Sequence, residues 1–151
     1  MIYVQIADLY YQNGLEGLLI KTAQAALQHQ TPENSEDELA IVLIGDEEIQ
    51  QLNNQYLGID TPTDVLSFSG GDIDPETGKR YLGDIIISYP RAKSQAAARS
   101  GSESSELQLL VVHGILHLLG YDHAEELQKN EMWALQAQVL KELGLDSINP
   151  S

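Results

Sequence analysis

Cysteine is absent from the 151 residues of this chain. Without a thiol there can be no disulfide, no thiolate nucleophile and no cysteine-bound zinc or iron–sulfur cluster. A metal ion in this protein must therefore be bound by nitrogen and oxygen atoms.

Long apolar runs are also absent. No stretch approaches the roughly 20 apolar residues that span a bilayer. The first residues, Met1 to Asp8, lack the basic start and sustained apolar segment of a secretion signal. We therefore expect a cytoplasmic protein with no membrane partner. The length, with 42% hydrophobic residues, predicts a single domain over residues 1–151.

Cations are scarce, since 8 lysines and arginines stand against 23 aspartates and glutamates, for a net charge of −15. This balance opposes a broad electrostatic contact with nucleic acid. Binding to RNA would have to be local, or assisted by a metal or a partner. A solvated acidic surface that keeps the protein soluble accounts for most of these carboxylates equally well.

The spacing of apolar residues predicts an α/β (α+β) fold, in which a mixed four-stranded sheet is surrounded by about five helices. Strands are predicted at 2–6, 39–44, 64–68 and 82–88, the last two forming an antiparallel hairpin. Helices are predicted at 14–30, 47–56, 90–99, 104–119 and 124–143. Asp46 is the predicted N-cap of the second helix, and Gly144 ends the last one.

Two histidines lie within the most apolar predicted helix. His113 and His117 are four residues apart, so their side chains are separated by about 40° and one helical turn. Their neighbours are almost all leucine, isoleucine and valine, which indicates a buried helix. Because an unsatisfied buried polar group costs about 1–3 kcal/mol, both imidazoles need partners. One shared metal ion would satisfy both.

A third histidine follows the helix. Gly120 permits a left-handed turn, after which the chain can double back and bring His123 to the same ion. Three neutral ligands leave one position open, as in catalytic zinc sites, where zinc lowers the pKa of bound water to about 7. The spacing predicts one zinc ion per chain on His113, His117 and His123. The alternative is three separately hydrogen-bonded core histidines.

Gly114 follows the first histidine, where the common zinc-peptidase pattern carries a glutamate that acts as general base. Without this glutamate, peptide hydrolysis is disfavoured. Phosphodiester cleavage depends more on the metal, the leaving-group geometry and an RNA 2′-hydroxyl. Asp122 is a candidate for orienting a ligand or handling protons, although turn chemistry explains it equally. The general acid and base stay open.

The motif of residues 113–123, His-Gly-Ile-Leu-His-Leu-Leu-Gly-Tyr-Asp-His, resembles that of the YbeY family of bacterial endoribonucleases and rRNA maturation factors. Residues 60–68, 82–88, 131–133 and 143–144 extend the likeness over roughly 39–145. The resemblance implies a zinc-dependent, single-strand-specific endoribonuclease with His113, His117 and His123 as ligands. It implies action at the 3′ end of small-subunit ribosomal RNA and in ribosome quality control. The implied partners are the small subunit and its proteins, not DNA.

One position departs from that family. Leu57 follows Tyr56 where the family usually has an arginine, which puts phosphate binding in doubt. Other cations could take the place of this arginine, namely Lys79, Arg80, Arg91, Lys93 and Arg99. Ordinary surface charge explains these residues as well.

Two alternative functions stay open. A non-catalytic, zinc-stabilised ribosome assembly factor is favoured by the acidic charge and by Leu57. A zinc peptidase or amidase is disfavoured by Gly114. The stretch from Pro62 to Phe68 could line a cleft, since an extended edge beside a metal can align a substrate backbone, but core packing explains its apolar residues equally well and it is assigned no site role.

Overall fold

The computed structural model describes residues 1–28, 37–71, 73–121 and 125–145. Its strands are β1 (Ile2–Ile6), β2 (Glu38–Ile44), β3 (Val65–Ser69) and β4 (Tyr81–Ser88), and they form one sheet in the order β1-β2-β4-β3. β1, β2 and β4 are parallel, while β3 pairs antiparallel with β4 at the edge of the sheet. The predicted mixed sheet and its antiparallel hairpin are confirmed.

The helices are α1 (Leu15–Gln28), α2 (Asp46–Leu57), α3 (Tyr89–Ala98), α4 (Glu103–Leu118) and α5 (Glu126–Glu142). Each corresponds to a predicted helix, and within the described ranges the ends differ by only a few residues. None of the described helices combines the length and the apolar character needed to cross a bilayer.

The sheet separates two apolar layers because successive side chains of a strand point to opposite faces. Leu39, Ile41 and Leu43 of β2 lie on the face covered by α1 and α4 and are fully buried. Val42 and Ile44 point the other way, toward α2. Complete burial of one such side chain stabilises the fold by about 1.5–3 kcal/mol. The larger core therefore lies between the sheet and α4, the helix that carries the histidines.

The predicted N-cap at Asp46 was wrong by one residue. Gly45 occupies the N-cap position of α2 and provides no side-chain hydrogen bond, and Asp46 is the first helical residue. The carboxylate of Asp46 instead accepts a hydrogen bond from the Ser88 hydroxyl at 2.6 Å and pairs with the Arg91 guanidinium at 3.4 Å. These partners, 42 residues away or more, are invisible to a local capping rule.

Candidate metal centre and its cleft

Gly114 lets α4 approach the sheet closely. A Cβ atom at this position would lie 2.8 Å from Cγ2 of Ile85 and 3.2 Å from the hydroxyl of Ser67. The Gly114 carbonyl accepts a hydrogen bond from that hydroxyl at 3.3 Å. A glutamate at this position has no space, so the absence of the peptidase base follows from the packing of α4 on β3 and β4.

His113 and His117 lie side by side on α4, as the sequence predicts. Their Nε2 atoms are 3.1 Å apart, and their ring centroids are 4.7 Å apart with the planes at 77°. Both side chains are half-buried at a point where the neighbouring residues of α4 are almost completely buried. Two imidazole nitrogens therefore converge at one place at the surface end of an otherwise apolar helix.

Gln136 of α5 orients one of these rings. Its Oε1 accepts a hydrogen bond from Nδ1 of His113 at 3.0 Å, and its side chain is fully buried. A proton on Nδ1 leaves a lone pair on Nε2, the atom that faces His117. Sequence reasoning missed Gln136, although a polar residue within the buried stripe of Met132, Val139 and Leu140 was an available signal.

The paired nitrogens fit a zinc ion by their chemistry, because neutral imidazole is a preferred zinc ligand and its second nitrogen is commonly hydrogen-bonded to an oxygen. Gly120 has a φ of +101°, the left-handed conformation predicted for it. His123 and Asp122 lie outside the described residues, so the third ligand and the role of Asp122 stay predictions. Within the described ranges, no group of three or more ligand side chains converges.

A cleft of about 460 Å³ opens beside the two histidines. It is lined by Leu57, Asp64, Val65, Leu66, Ser67, Ser69, His113, His117 and Leu118. Part of the stretch that the sequence left without a site role, residues 64–67, thus forms one wall together with Ser69 along the edge strand β3. Its position became visible only once β3 was placed at the edge of the sheet next to α4.

The cleft wall contains no cation. All eight lysines and arginines fall within the described ranges, and none of them is among the lining residues. Three of the five proposed substitutes for the missing arginine form ion pairs elsewhere, namely Arg80 with Asp37, Arg91 with Asp46 and Arg99 with Glu106. Lys93 lines a separate cavity. The structure therefore favours ordinary surface charge for these cations, and Leu57 leaves the wall uncharged at its position.

One carboxylate, that of Asp64, lies at the cleft wall just before β3. Asp64 accepts hydrogen bonds from the backbone N–H of Val65 at 2.8 Å and from the Gln95 amide at 3.2 Å. Behind it, burial raises the pKa of the Glu106 carboxyl, against the opposing charge of Arg99, and the charge of Asp64 raises the pKa further. The only acidic side chain among the described residues that line the cleft is that of Asp64, and a phosphate close to it would be disfavoured.

Comparison with known proteins places the chain in a family. The model of the family described as Endoribonuclease YbeY matches residues 5–144. The Endoribonuclease YbeY of Brevibacillus brevis is 41% identical over 143 residues, covering 87% of this chain and 88% of the relative. That of Halalkalibacterium halodurans is 46% identical over 116 residues, covering 72% and 73%. A solution structure of a Thermotoga maritima protein is similar with a TM-score of 0.61 and 25% identity, covering 95% and 92%. This chain belongs to the YbeY endoribonuclease family.

Proposed function

We propose that this protein is a zinc-dependent, single-strand-specific endoribonuclease that matures the 3′ end of small-subunit ribosomal RNA and acts in ribosome quality control. One observation carries the proposal: two imidazole nitrogens lie 3.1 Å apart beside a cleft, in a chain that belongs to an endoribonuclease family. His113 and His117 would hold the zinc together with His123. The site of action is the cytoplasm.

Zinc bound there would supply a Lewis acid that polarises a phosphoryl oxygen and favours deprotonation of water. The residues of the chain would position the RNA. Ser67 and Ser69 line the cleft: the Ser69 hydroxyl can donate to a phosphate oxygen, and the Ser67 hydroxyl, which donates to the Gly114 carbonyl, can accept from a sugar hydroxyl. Leu57 and Leu118 offer apolar surface to a base. Substrate binding at the cleft thus depends on hydrogen bonds and apolar contact.

The dimensions of the cleft support a preference for single strands. A volume of about 460 Å³ is that of a small-molecule pocket, which admits about one nucleotide unit. Bases in a duplex are stacked and paired, whereas those of loops and ends can be splayed into such a space. A duplex would have to be opened before its backbone reached the histidines.

The charge of the protein supports a need for partners. With a net charge of −15 and no cation lining the cleft, the chain gains little from phosphate contacts. Docking on the small ribosomal subunit through its proteins would supply the missing affinity. The same features support the second candidate, a non-catalytic assembly factor that binds zinc and the ribosome without cleaving RNA.

Cleavage of a labelled single-stranded RNA, beside the same strand in a duplex, tests the activity. We expect cleavage of the single strand by zinc-loaded protein, loss with a chelator or in His117→Ala, and retention in His29→Ala, which changes the histidine outside the motif. Equal cleavage by His117→Ala and the parent would contradict the proposal.

A test in cells separates the enzyme from the assembly factor. In cells whose protein carries His113→Ala, we expect small-subunit ribosomal RNA with unprocessed 3′ ends to accumulate. Normal 3′ ends together with impaired assembly of the subunit would favour the non-catalytic function instead.

A further inference from the structure

We propose that Gln136 is a positioning residue that fixes the proton of His113 on Nδ1 and so presents Nε2 to the metal. The inference rests on the proposed zinc site but concerns a residue outside it. Gln136 lies on α5, 23 residues from His113, and its Oε1 is 3.0 Å from Nδ1 of that ring. Its role is to select one tautomer.

The hydrogen bond between Gln136 and His113 has a defined direction, which determines where the proton of His113 lies. An amide oxygen only accepts, so the Nδ1 atom that faces it must carry the proton. In a neutral imidazole the other nitrogen, Nε2, is then left with its lone pair. This atom is the one that faces His117. His113 is thereby already in the tautomer that a metal ion requires.

The other half of the same amide makes no hydrogen bond within the described residues, so the contact of Oε1 with His113 is the polar interaction that distinguishes Gln136. Nε2 of Gln136 is buried and has no hydrogen-bond partner among the described residues. A buried donor without a partner destabilises the folded state, and an apolar side chain of the same size would avoid this cost. The residue is therefore accounted for by its Oε1 contact with His113.

A second buried glutamine provides the contrast. Gln108 lies on α4 and is 6% exposed, and its Nε2 donates to the hydroxyl of Thr22 at 3.1 Å. That contact joins α4 to α1 inside the core and involves no histidine. Gln108 is thus a structural glutamine and serves as the matched control for Gln136.

The two histidines would carry their protons on different ring nitrogens in the metal-free protein. With the proton of His113 on Nδ1, the 3.1 Å contact between the Nε2 atoms is a hydrogen bond only if Nε2 of His117 carries a proton. If Nε2 of His117 bound a metal ion, that proton would have to move to Nδ1 of the same ring. Binding would therefore change the tautomer of His117 while leaving that of His113 unchanged.

The first experiment measures imidazole tautomers in metal-free protein by long-range proton–nitrogen NMR spectra. We expect His113 to be protonated on Nδ1 in the parent, in Gln136→Glu and in Gln108→Met. In Gln136→Met, which removes the acceptor, we expect this preference to be lost. A parent protein with His113 protonated on Nε2, or a Gln136→Met variant with an unchanged tautomer, would overturn the proposal. No metal is involved, so this readout is independent of the proposed zinc site.

The second experiment measures zinc affinity by competition with a chromophoric chelator, together with the urea midpoint of the metal-free protein. We expect Gln136→Met to bind zinc about 10–100-fold more weakly with an unchanged or higher midpoint. Gln136→Glu keeps an acceptor oxygen and should restore the affinity. Gln108→Met should lower the midpoint and leave the affinity unchanged. Weaker binding in Gln136→Met that is matched by lost stability and not restored by glutamate would show a merely structural role.

If the parent bound no zinc at all, the proposed function would fail. The NMR measurement would still decide whether Gln136 fixes the tautomer of His113. The two failures are therefore distinguishable.

Discussion

Gly114 has no side chain, and this affects both the packing of α4 and the groups available for catalysis. Gly114 lies where α4 touches the sheet, and its backbone contacts Ile85 and Ser67. Because Gly114 has no Cβ, α4 can lie close to β3. This close approach leaves no space for the glutamate that a zinc peptidase uses. Packing and reaction class are thus coupled at one position.

Gly114→Ala should destabilise the protein. The new Cβ would lie 2.8 Å from a methyl carbon of the fully buried Ile85. Overpacking costs about 1–3 kcal/mol, while alanine gains about 1 kcal/mol in helix propensity. Because the contacted Ile85 side chain is fully buried, we expect a net loss of up to about 2 kcal/mol in the free energy of unfolding, measured in urea.

Gly17→Ala is the matched control for this change. Gly17 lies within α1, is exposed, and would have no atom within 4 Å of a new Cβ. We expect it to stabilise the protein by up to about 1 kcal/mol. A similar gain for Gly114→Ala would show that α4 does not pack closely on the sheet.

α4 is the element on which the site depends. It begins at Glu103, after the N-cap Ser102, whose hydroxyl accepts a hydrogen bond from the backbone N–H of Ser105 at 3.1 Å. Its first two turns contain Glu106, a buried carboxylate that pairs with Arg99 at 3.3 Å. The N-cap and the ion pair stabilise the start of α4, and the apolar middle of the helix packs in the core. Together they fix the position of the histidines relative to the sheet.

Ser102→Ala should lower the free energy of unfolding by about 1 kcal/mol, because the N-cap hydrogen bond is lost. Ser104→Ala, an exposed change at the second residue of the same helix, is the control and should have little effect. The measurement is chemical unfolding at neutral pH. Equal losses for both variants would indicate that the cap of α4 does not stabilise the fold.

Glu106 should make stability depend on pH in an identifiable direction. Burial raises the pKa of its carboxyl above the usual 4.5, so the folded state binds this proton more tightly than the unfolded state does. The stability that protonation provides is therefore lost as the pH rises through the folded-state pKa. Glutamine cannot ionise, so Glu106→Gln should gain stability relative to the parent as the pH rises above the unfolded-state pKa of about 4.5 and through the raised folded-state pKa.

Urea unfolding of both proteins across this pH range measures the difference. Arg99→Met provides a companion, because the Arg99 charge lowers the pKa of Glu106 and its loss should steepen the decline of stability with pH. A relative gain for Glu106→Gln that grows as the pH falls would contradict the assignment.

For the whole molecule, the net charge and the lining of the cleft together determine how RNA binding depends on salt. The net charge is −15, and none of the eight lysines and arginines lines the cleft. Each phosphate contact in a single strand contributes about 0.7 to the slope of log affinity against log salt. The account therefore predicts that RNA binding by this protein alone depends weakly on salt.

Leu57→Arg should strengthen RNA binding and increase that slope by about 0.7, since it places a cation in the cleft wall. Ile59→Arg adds the same charge at an exposed residue that is not among those lining the cleft. Fluorescence anisotropy of a short single-stranded RNA at several salt concentrations compares the two. Equal effects would mean that RNA does not enter the cleft beside Leu57.

Periodicity along the chain was enough to predict the strands, the helices and the buried character of α4. It shows which face of an element is buried but not which element that face meets. The edge position of β3, the contact of Asp46 with Ser88 and the hydrogen bond from His113 to Gln136 join residues far apart in sequence. The lining role of Asp64 to Ser69 depends on such long-range placement, so local patterns could not supply it.

Zinc bound by the converging histidines would be detected by elemental analysis of purified protein. We expect about one zinc per chain in the parent and in His29→Ala, and a large loss in His113→Ala and His117→Ala. A parent without zinc, or histidine variants with an undiminished zinc content, would contradict this expectation.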